Sequence, residues 1–360
     1  MSEKQALIEA GIISSPAPRR PPARRGKPVK LPAISCMSDI EPVEVDFLWE
    51  PFLPLGKLTL LEGDPGCGKT FLALQLAACL SIGAPLPGRD GTPGEGRLPA
   101  SVLYMSAEDG LADTLRPRLD TMGADPGKVY VLTGWRTDDG DSGMITLADV
   151  GIIEQAMEQV KPILLVVDPL QGYLGAGVDM HRANEVRPVM AALAGLAEKH
   201  NTALLCVRHL SKAPAGRAMY RGMGSIDFSA AARSILLAGQ DPDDPAKRGI
   251  IHLKSSLAAA GPSIGFEIGP EGFFWTGLSS LTVGSLFKGD IQAEEDRSTI
   301  EEAEDFLREV LAAGPMAARE LVQEARENGI SKRTLDRAKK KLGIKSQREG
   351  EQWYWNLATI

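Results

Sequence analysis

From about residue 45 to about 280 the chain alternates short aliphatic runs with longer stretches whose apolar residues recur at helical spacing. The runs "KLTLLEG" (57–63), "SVLYMSA" (101–107), "KVYVL" (128–132), "ILLVVDPL" (163–170), "TALLCVRH" (202–209), "ARSILLAG" (232–239) and "IIHLKSS" (250–256) predict strands. The first, second, fourth and fifth are almost continuously apolar, as strands covered on both faces must be. Helices are predicted between them at about 69–82, where the pattern reads as amphipathic, and at 109–122, 150–160 and 184–200. "IGFEIG" and "GFFWTG" predict a closing antiparallel hairpin. Strands alternating with crossover helices define an α/β fold around a mostly parallel sheet.

Outside this region the pattern changes twice. Residues 14–32, "SSPAPRRPPARRGKPVKLP", combine prolines with Arg19, Arg20, Arg24, Arg25, Lys27 and Lys30 and contain no carboxylate. Such a stretch has too little apolar surface to offset its ordering entropy, so residues 1–42 are expected to form a disordered basic arm. The main domain is then 43–282. Residues 283–299, "VGSLFKGDIQAEEDRST", lack a steady period and are expected to be a linker. Residues 300–360 read as three helices and two short strands, a small separate domain.

Composition narrows the class. With 43% apolar residues in 360, the chain can bury a large core. A net charge of −7 is wrong for a polycation that coats nucleic acid, so any such contact must come from local basic patches. Cys36, Cys67, Cys79 and Cys206 have no paired spacing, as in a reducing compartment. No apolar run approaches the roughly 18–20 residues that cross a bilayer. The expectation is a soluble, cytoplasmic protein without a membrane partner.

The chemistry begins at "GDPGCGKTF", 63–71. Gly63, Gly68, Lys69 and Thr70 fill G-x-x-x-x-G-K-[ST] between a predicted strand and a predicted helix. In that context Gly63, Asp64, Pro65, Gly66, Cys67, Gly68, Lys69, Thr70 and Phe71 are expected to wrap nucleotide phosphates with backbone N–H groups at a helix N-terminus. Lys69 is expected to reach the β- and γ-phosphates and Thr70 to hold Mg²⁺. The implied ligands are ATP and Mg²⁺.

A second nucleotide signature is an aspartate ending a buried strand. Asp168 in "ILLVVDPL" supplies it and is expected to orient the metal together with Thr70. Pro169 follows, so this strand offers no adjacent carboxylate to polarise water. "SVLYMSAED" ends with Glu108 and Asp109, at a strand end expected to open on the same crevice. Glu108 is assigned to water activation and Asp109 to capping the following helix, with the reverse assignment open.

Together these motifs resemble the RecA-like P-loop ATPases, and within them the branch containing the RepA-type replicative helicases of plasmids and phages. The resemblance spans about Val43 to Trp275 and is carried by "LPLGKLTLLEGDPGCGKT", "MSAEDG", "LLVVDPLQGYLG", "NEVRPVM", "CVRHLSK", "RGMGSIDFSAAARSILL" and "LKSSLAAAGPSIGFEI". It implies a catalytic set of Lys69, Glu108, Asp168 and His209, the last as a polar sensor of the γ-phosphate; a core histidine is the plainer alternative. It also implies a ring-shaped homo-oligomer, a hexamer, in which a cation from the neighbouring subunit completes each site. Arg233 and Lys254 match the family's candidates, and Arg221 is a third.

The resemblance further places the glycine-rich, basic segments after Asp168 and after His209 in a central channel that grips single-stranded DNA. Tyr173 and Tyr220 are the stacking candidates, Arg182 is a cation of the first segment, and Lys212, Arg217 and Arg221 are those of the second; mobile lids over the nucleotide are the alternative. In "ISKRTLDRAKKKLGI", Ser331 is a predicted N-cap. Leu335, Ala338 and Leu342 share one helical face, and Arg333, Arg337, Lys340 and Lys341 the other. With "KSQREGEQWYWNL" after it, the order looks like a winged helix, whose last helix meets duplex DNA through Lys332, Arg333, Arg337, Lys340 and Lys341, or else docks a protein. The resulting expectation is a DNA-associated ATPase of helicase type; the alternative is an ATP-gated DNA-binding regulator or loader that unwinds nothing.

Overall fold

The computed structural model describes residues 34–357, apart from 176, 177, 179, 181, 211–225, 287 and 313 and the side chains of 183, 226, 227 and 288–298. Residues 34–44 belong to a unit of their own, with one 3-10 turn at Met37–Asp39.

Nine strands make the central sheet: β1 (Leu58–Gly63), β2 (Val102–Ser106), β3 (Val129–Val131), β4 (Leu164–Asp168), β5 (Ala203–His209), β6 (Ser234–Gln240), β7 (Arg248–Ser255), β8 (Ile264–Gly269) and β9 (Gly272–Leu278). Their spatial order is 3-2-4-5-1-6-7-8-9. The pairs from β3 through β6 are parallel, and those from β6 to β9 antiparallel. This is the α/β, mostly parallel sheet of a RecA-like P-loop core, and every strand expected from the sequence is present.

The aliphatic runs are explained by burial on both faces. Leu61, Tyr104, Val166 and Leu205 share a core with helix α1 (Lys69–Ile82). Leu60, Met105, Val167 and Cys206 face the opposite way, into a core with α3 (Val150–Val160) and α4 (Ala183–His200). Helix α1 is not amphipathic as expected: Leu72, Ala73, Leu74, Leu76, Ala77 and Ala78 are all buried. A hairpin that the sequence pattern did not reveal, Phe47–Trp49 with Leu53–Pro54, adds Trp49, Phe52 and Leu53 to the same core and so removes a solvent face. The stretch expected as one helix over 109–122 is a π-helical turn, Leu111–Leu115, followed by α2 (Arg116–Thr121). A short α5 (Ile226–Ala231) precedes β6.

The region expected as a linker is helical: α6 (Val283–Leu286) and α7 (Lys288–Leu311). Its Glu, Gln and Ala content favours helix, and the apolar spacing that anchors the helix falls later, at Ala303, Leu307 and Leu311. Then come β10 (Met316–Ala317), α8 (Ala318–Glu327), α9 (Lys332–Lys341), β11 (Lys345–Glu349) and β12 (Gln352–Asn356). The three strands form an antiparallel sheet in the order β10-β12-β11. Leu307, Leu321, Leu335 and Trp355 share its core, and Ser331 caps α9 by accepting from the Thr334 N–H.

Candidate nucleotide site

Because β1, β2, β4 and β5 run parallel, their C-terminal ends open on one edge. Register puts Gly63 beside His209 and Ser106 beside Asp168. The loop from Gly63 is tight: a Cβ there would lie 2.4 Å from the Ala238 carbonyl oxygen and 2.7 Å from Cys67 Sγ. Gly66 and Gly68 have φ of 81° and 98°, left-handed values that favour glycine, and α1 begins at Lys69 immediately after. Lys69 Nζ donates to the carbonyls of Gly63 (2.9 Å) and Asp64 (2.8 Å), which holds its ammonium within the loop. Burial pushes the Cys67 thiol up, only partly opposed by Lys69, so this cysteine is an inert filler.

Asp168 is 6% exposed. Tyr104 Oη donates to its Oδ2 at 2.7 Å, and the Thr70 hydroxyl also favours its charged form. Burial raises the Asp168 carboxyl above the ordinary range; these two hydroxyls and Lys69 oppose that, while Asp109 reinforces it. A hydroxyl and a carboxylate side by side are hard oxygen donors and fit Mg²⁺. Glu108 Oε2 stands 3.9 Å from His209 Nε2 at the same edge, with Glu108 largely exposed. His209 is thus no core histidine: its ring is 37% exposed, and Gln171 Nε2 reaches its carbonyl at 3.5 Å. Asp109 does not cap the following turn. Gly110 is the N-cap there, and Asp109 Oδ2 instead accepts from Arg118 at 3.0 Å, Arg118 lying 4.5 Å over the Phe71 ring.

The structure adds residues that the motif reading passed over. Gln240 Nε2 donates to the Gly66 carbonyl at 3.2 Å, and the Arg248 side chain packs against Gly68. Glu62 and Arg208, each next to a site residue, form a buried ion pair across β1 and β5, with the guanidinium 5.0 Å over the Phe228 ring. The signal was present: charges and a tyrosine inside aliphatic strands need partners.

Arg233 and Lys254 are not at this site. The Arg233 N–H bonds the carbonyl of Leu58, at the start of β1, about 16 Å from Gly63 at ~3.3 Å per residue. Lys254, opposite Ile235, donates to the carbonyls of Ser229 (2.7 Å) and Ala232 (2.9 Å) at the end of α5, where burial and then Arg233 lower its ammonium pKa. Lys212, Arg217, Tyr220 and Arg221 lie outside the described residues. Tyr173 is buried and offers no stacking face, and Arg182 pairs with Glu185. On α9, Lys332, Arg333, Arg337 and Lys340 are exposed around Asp336, whereas Lys341 is bound to the nearly buried Glu304 at 2.6 Å.

A glycine phosphate cradle, a buried strand-end aspartate beside its threonine, and this sheet order define a P-loop nucleotide-binding protein of RecA-like fold. An AAA-domain family profile matches residues 23–215, and the chain belongs to that AAA-domain family. The chain is also similar to proteins named DNA repair protein RadA. The identity is 29% over 159 residues in Halalkalibacterium halodurans, covering 44% of this chain and 28% of that protein. It is 30% over 159 residues in Mycobacterium tuberculosis, with the same two shares, and 28% over 161 residues in Streptococcus pneumoniae, covering 44% and 31%. The chain therefore spans under a third of the length of these curated relatives. Among the described residues no helix is long and apolar enough to cross a membrane.

Proposed function

We propose that the chain hydrolyses MgATP in a ring of RecA-like subunits working on DNA, as a helicase-type motor of the RepA kind. The observation that carries the hydrolytic reading is Glu108 facing His209 at 3.9 Å on the strand edge that also bears Asp168 and the phosphate loop. Glu108 accepts a proton from the attacking water as the water oxygen bonds the γ-phosphorus and the bond from that phosphorus to the ADP oxygen breaks. Lys69 binds the β- and γ-phosphates, and His209 contacts the γ-phosphate. Thr70 and Asp168 would hold Mg²⁺, which would supply positive charge at the phosphates. Arg233 or Lys254, both remote from their own subunit's loop, or else Arg221, serves the neighbour's site in a hexamer.

Residues 43–282 act as the ATPase domain and 300–360 as a winged helix. The antiparallel order β10-β12-β11 behind α8 and α9 supports that module. The exposed Lys332, Arg333, Arg337 and Lys340 support its contact with duplex DNA, and the name of the RadA relatives supports DNA association in general. Lys212, Arg217 and Arg221 would hold single strands in the channel. The same basic helix also favours a second reading, an ATP-gated regulator that binds duplex without unwinding it.

ATPase rates without DNA, with single strands and with duplex separate these. Stimulation by single strands supports the motor, a response to duplex alone supports the regulator, and indifference to both refutes the DNA reading.

A further inference from the structure

Tyr104 is a buried polar group at the site that the hydrolytic scheme leaves without a task. It lies in the middle of β2, opposite Val166 of β4, and is 1% exposed. Its ring belongs to the core shared with α1, while its hydroxyl donates to Asp168 Oδ2 at 2.7 Å. Asp168 is therefore held by Tyr104 from the neighbouring strand, and its carboxylate is favoured by the Thr70 hydroxyl in the first turn of α1. A carboxylate on a buried strand end would otherwise rotate about its terminal torsion, which is broad and only two-fold. A fixed donor on one oxygen restricts that rotation.

We propose that Tyr104 is a positioning residue for the metal: its hydroxyl locks the Asp168 carboxylate in the orientation that, with Thr70, receives Mg²⁺ at the nucleotide phosphates. This rests on the reading of Asp168 as the metal-orienting carboxylate. Groups that hold a metal ligand from behind commonly govern metal affinity by about 10–100-fold, because an unheld ligand must be ordered at the moment of binding. Tyr104 is 1% exposed and its hydroxyl is spent on Asp168, so its effect should appear in metal affinity and not in the nucleotide's own affinity.

Tyr104→Phe keeps the ring and removes only the donor. Mn²⁺ binding to the full chain with saturating ADP, followed by electron paramagnetic resonance, is expected to weaken about 10–100-fold. ADP affinity in EDTA is expected to stay within about twofold, since no nucleotide contact is lost. In an Asp168→Asn background the same substitution is expected to have no further effect on Mn²⁺, as residues acting through one another are non-additive. Unchanged Mn²⁺ affinity in Tyr104→Phe, or an equal loss of ADP affinity in EDTA, overturns the proposal. If Asp168→Asn itself leaves Mn²⁺ binding intact, the fault lies with the reading of Asp168 and the proposal falls with it.

Discussion

Removing Arg208 alone should cost far more than removing it together with Glu62. The two residues are 3% and 1% exposed, so neither charge has water to fall back on. Arg208→Met leaves the Glu62 carboxylate buried without a counter-charge, which costs about 3–5 kcal/mol. It also removes the guanidinium from the Phe228 face, worth about 0.5–2 kcal/mol more. The double variant Glu62→Leu/Arg208→Met keeps only the second loss. It gains from no longer desolvating two charges, and from losing the Arg208 Nε, which is buried without a hydrogen-bond partner. It should therefore lie within about 2 kcal/mol of the parent, and the single variant about 3.5–7 kcal/mol below it.

Trp49 and Trp275, with ring centroids 5.4 Å apart in the main core, make urea unfolding readable by fluorescence. The pH dependence adds a signature. Burial raises the Glu62 carboxyl above its ordinary range, and Arg208 opposes that. A carboxyl raised in the folded state stabilises fully below its unfolded pKa and loses that contribution as pH rises through the folded one. Without Arg208 the folded value climbs further, so the deficit of Arg208→Met should be smaller at pH 5 than at pH 8. A single variant within about 1 kcal/mol of the parent, or a double variant no better than the single, would refute the reasoning.

Two further outcomes are expected. His252 Nδ1 accepts from the Gly261 N–H at 2.9 Å, so the neutral ring carries its proton on Nε2, 3.0 Å from Ser234 Oγ, which in turn donates to the Phe52 carbonyl. Burial lowers its pKa to about 4, and stability should fall as pH drops from 6.5 toward 4, by up to about 3 kcal/mol. His252→Gln should flatten that slope in urea unfolding, and an unchanged slope assigns the acid sensitivity elsewhere. Second, Arg233→Ala subunits keep their own phosphate loop, and Lys69→Ala subunits keep their own Arg233. Mixing the two inactive variants should restore part of the ATPase, whereas no recovery at any ratio argues against a role in the neighbour's site.

The parts of the site that were legible in the sequence are those whose chemistry is local. The phosphate loop needs its glycines, Lys69 and Thr70 in one stretch, and Asp168 ends an unbroken aliphatic run, so spacing alone located both. The hairpin Phe47–Pro54 was not legible, because strands of three and two residues carry no period. The capping role given to Asp109 failed for a related reason: its partner Arg118 lies nine residues on, and only the π-helical turn and α2 bring the two together.

The remaining contacts depend on strand order. Tyr104 meets Asp168 because β2 lies beside β4, and Glu62 meets Arg208 because β1 lies beside β5, neighbours that are not consecutive in the chain. Yet Glu62 and Arg208 stand one residue before Gly63 and His209, at matching depths in two strands, β1 and β5, that hold no other Asp, Glu, Lys or Arg. Two opposite charges that can be buried only together imply that their strands are adjacent and in register. In this chain the misfits within the aliphatic pattern therefore carried topological information that the pattern itself lacked.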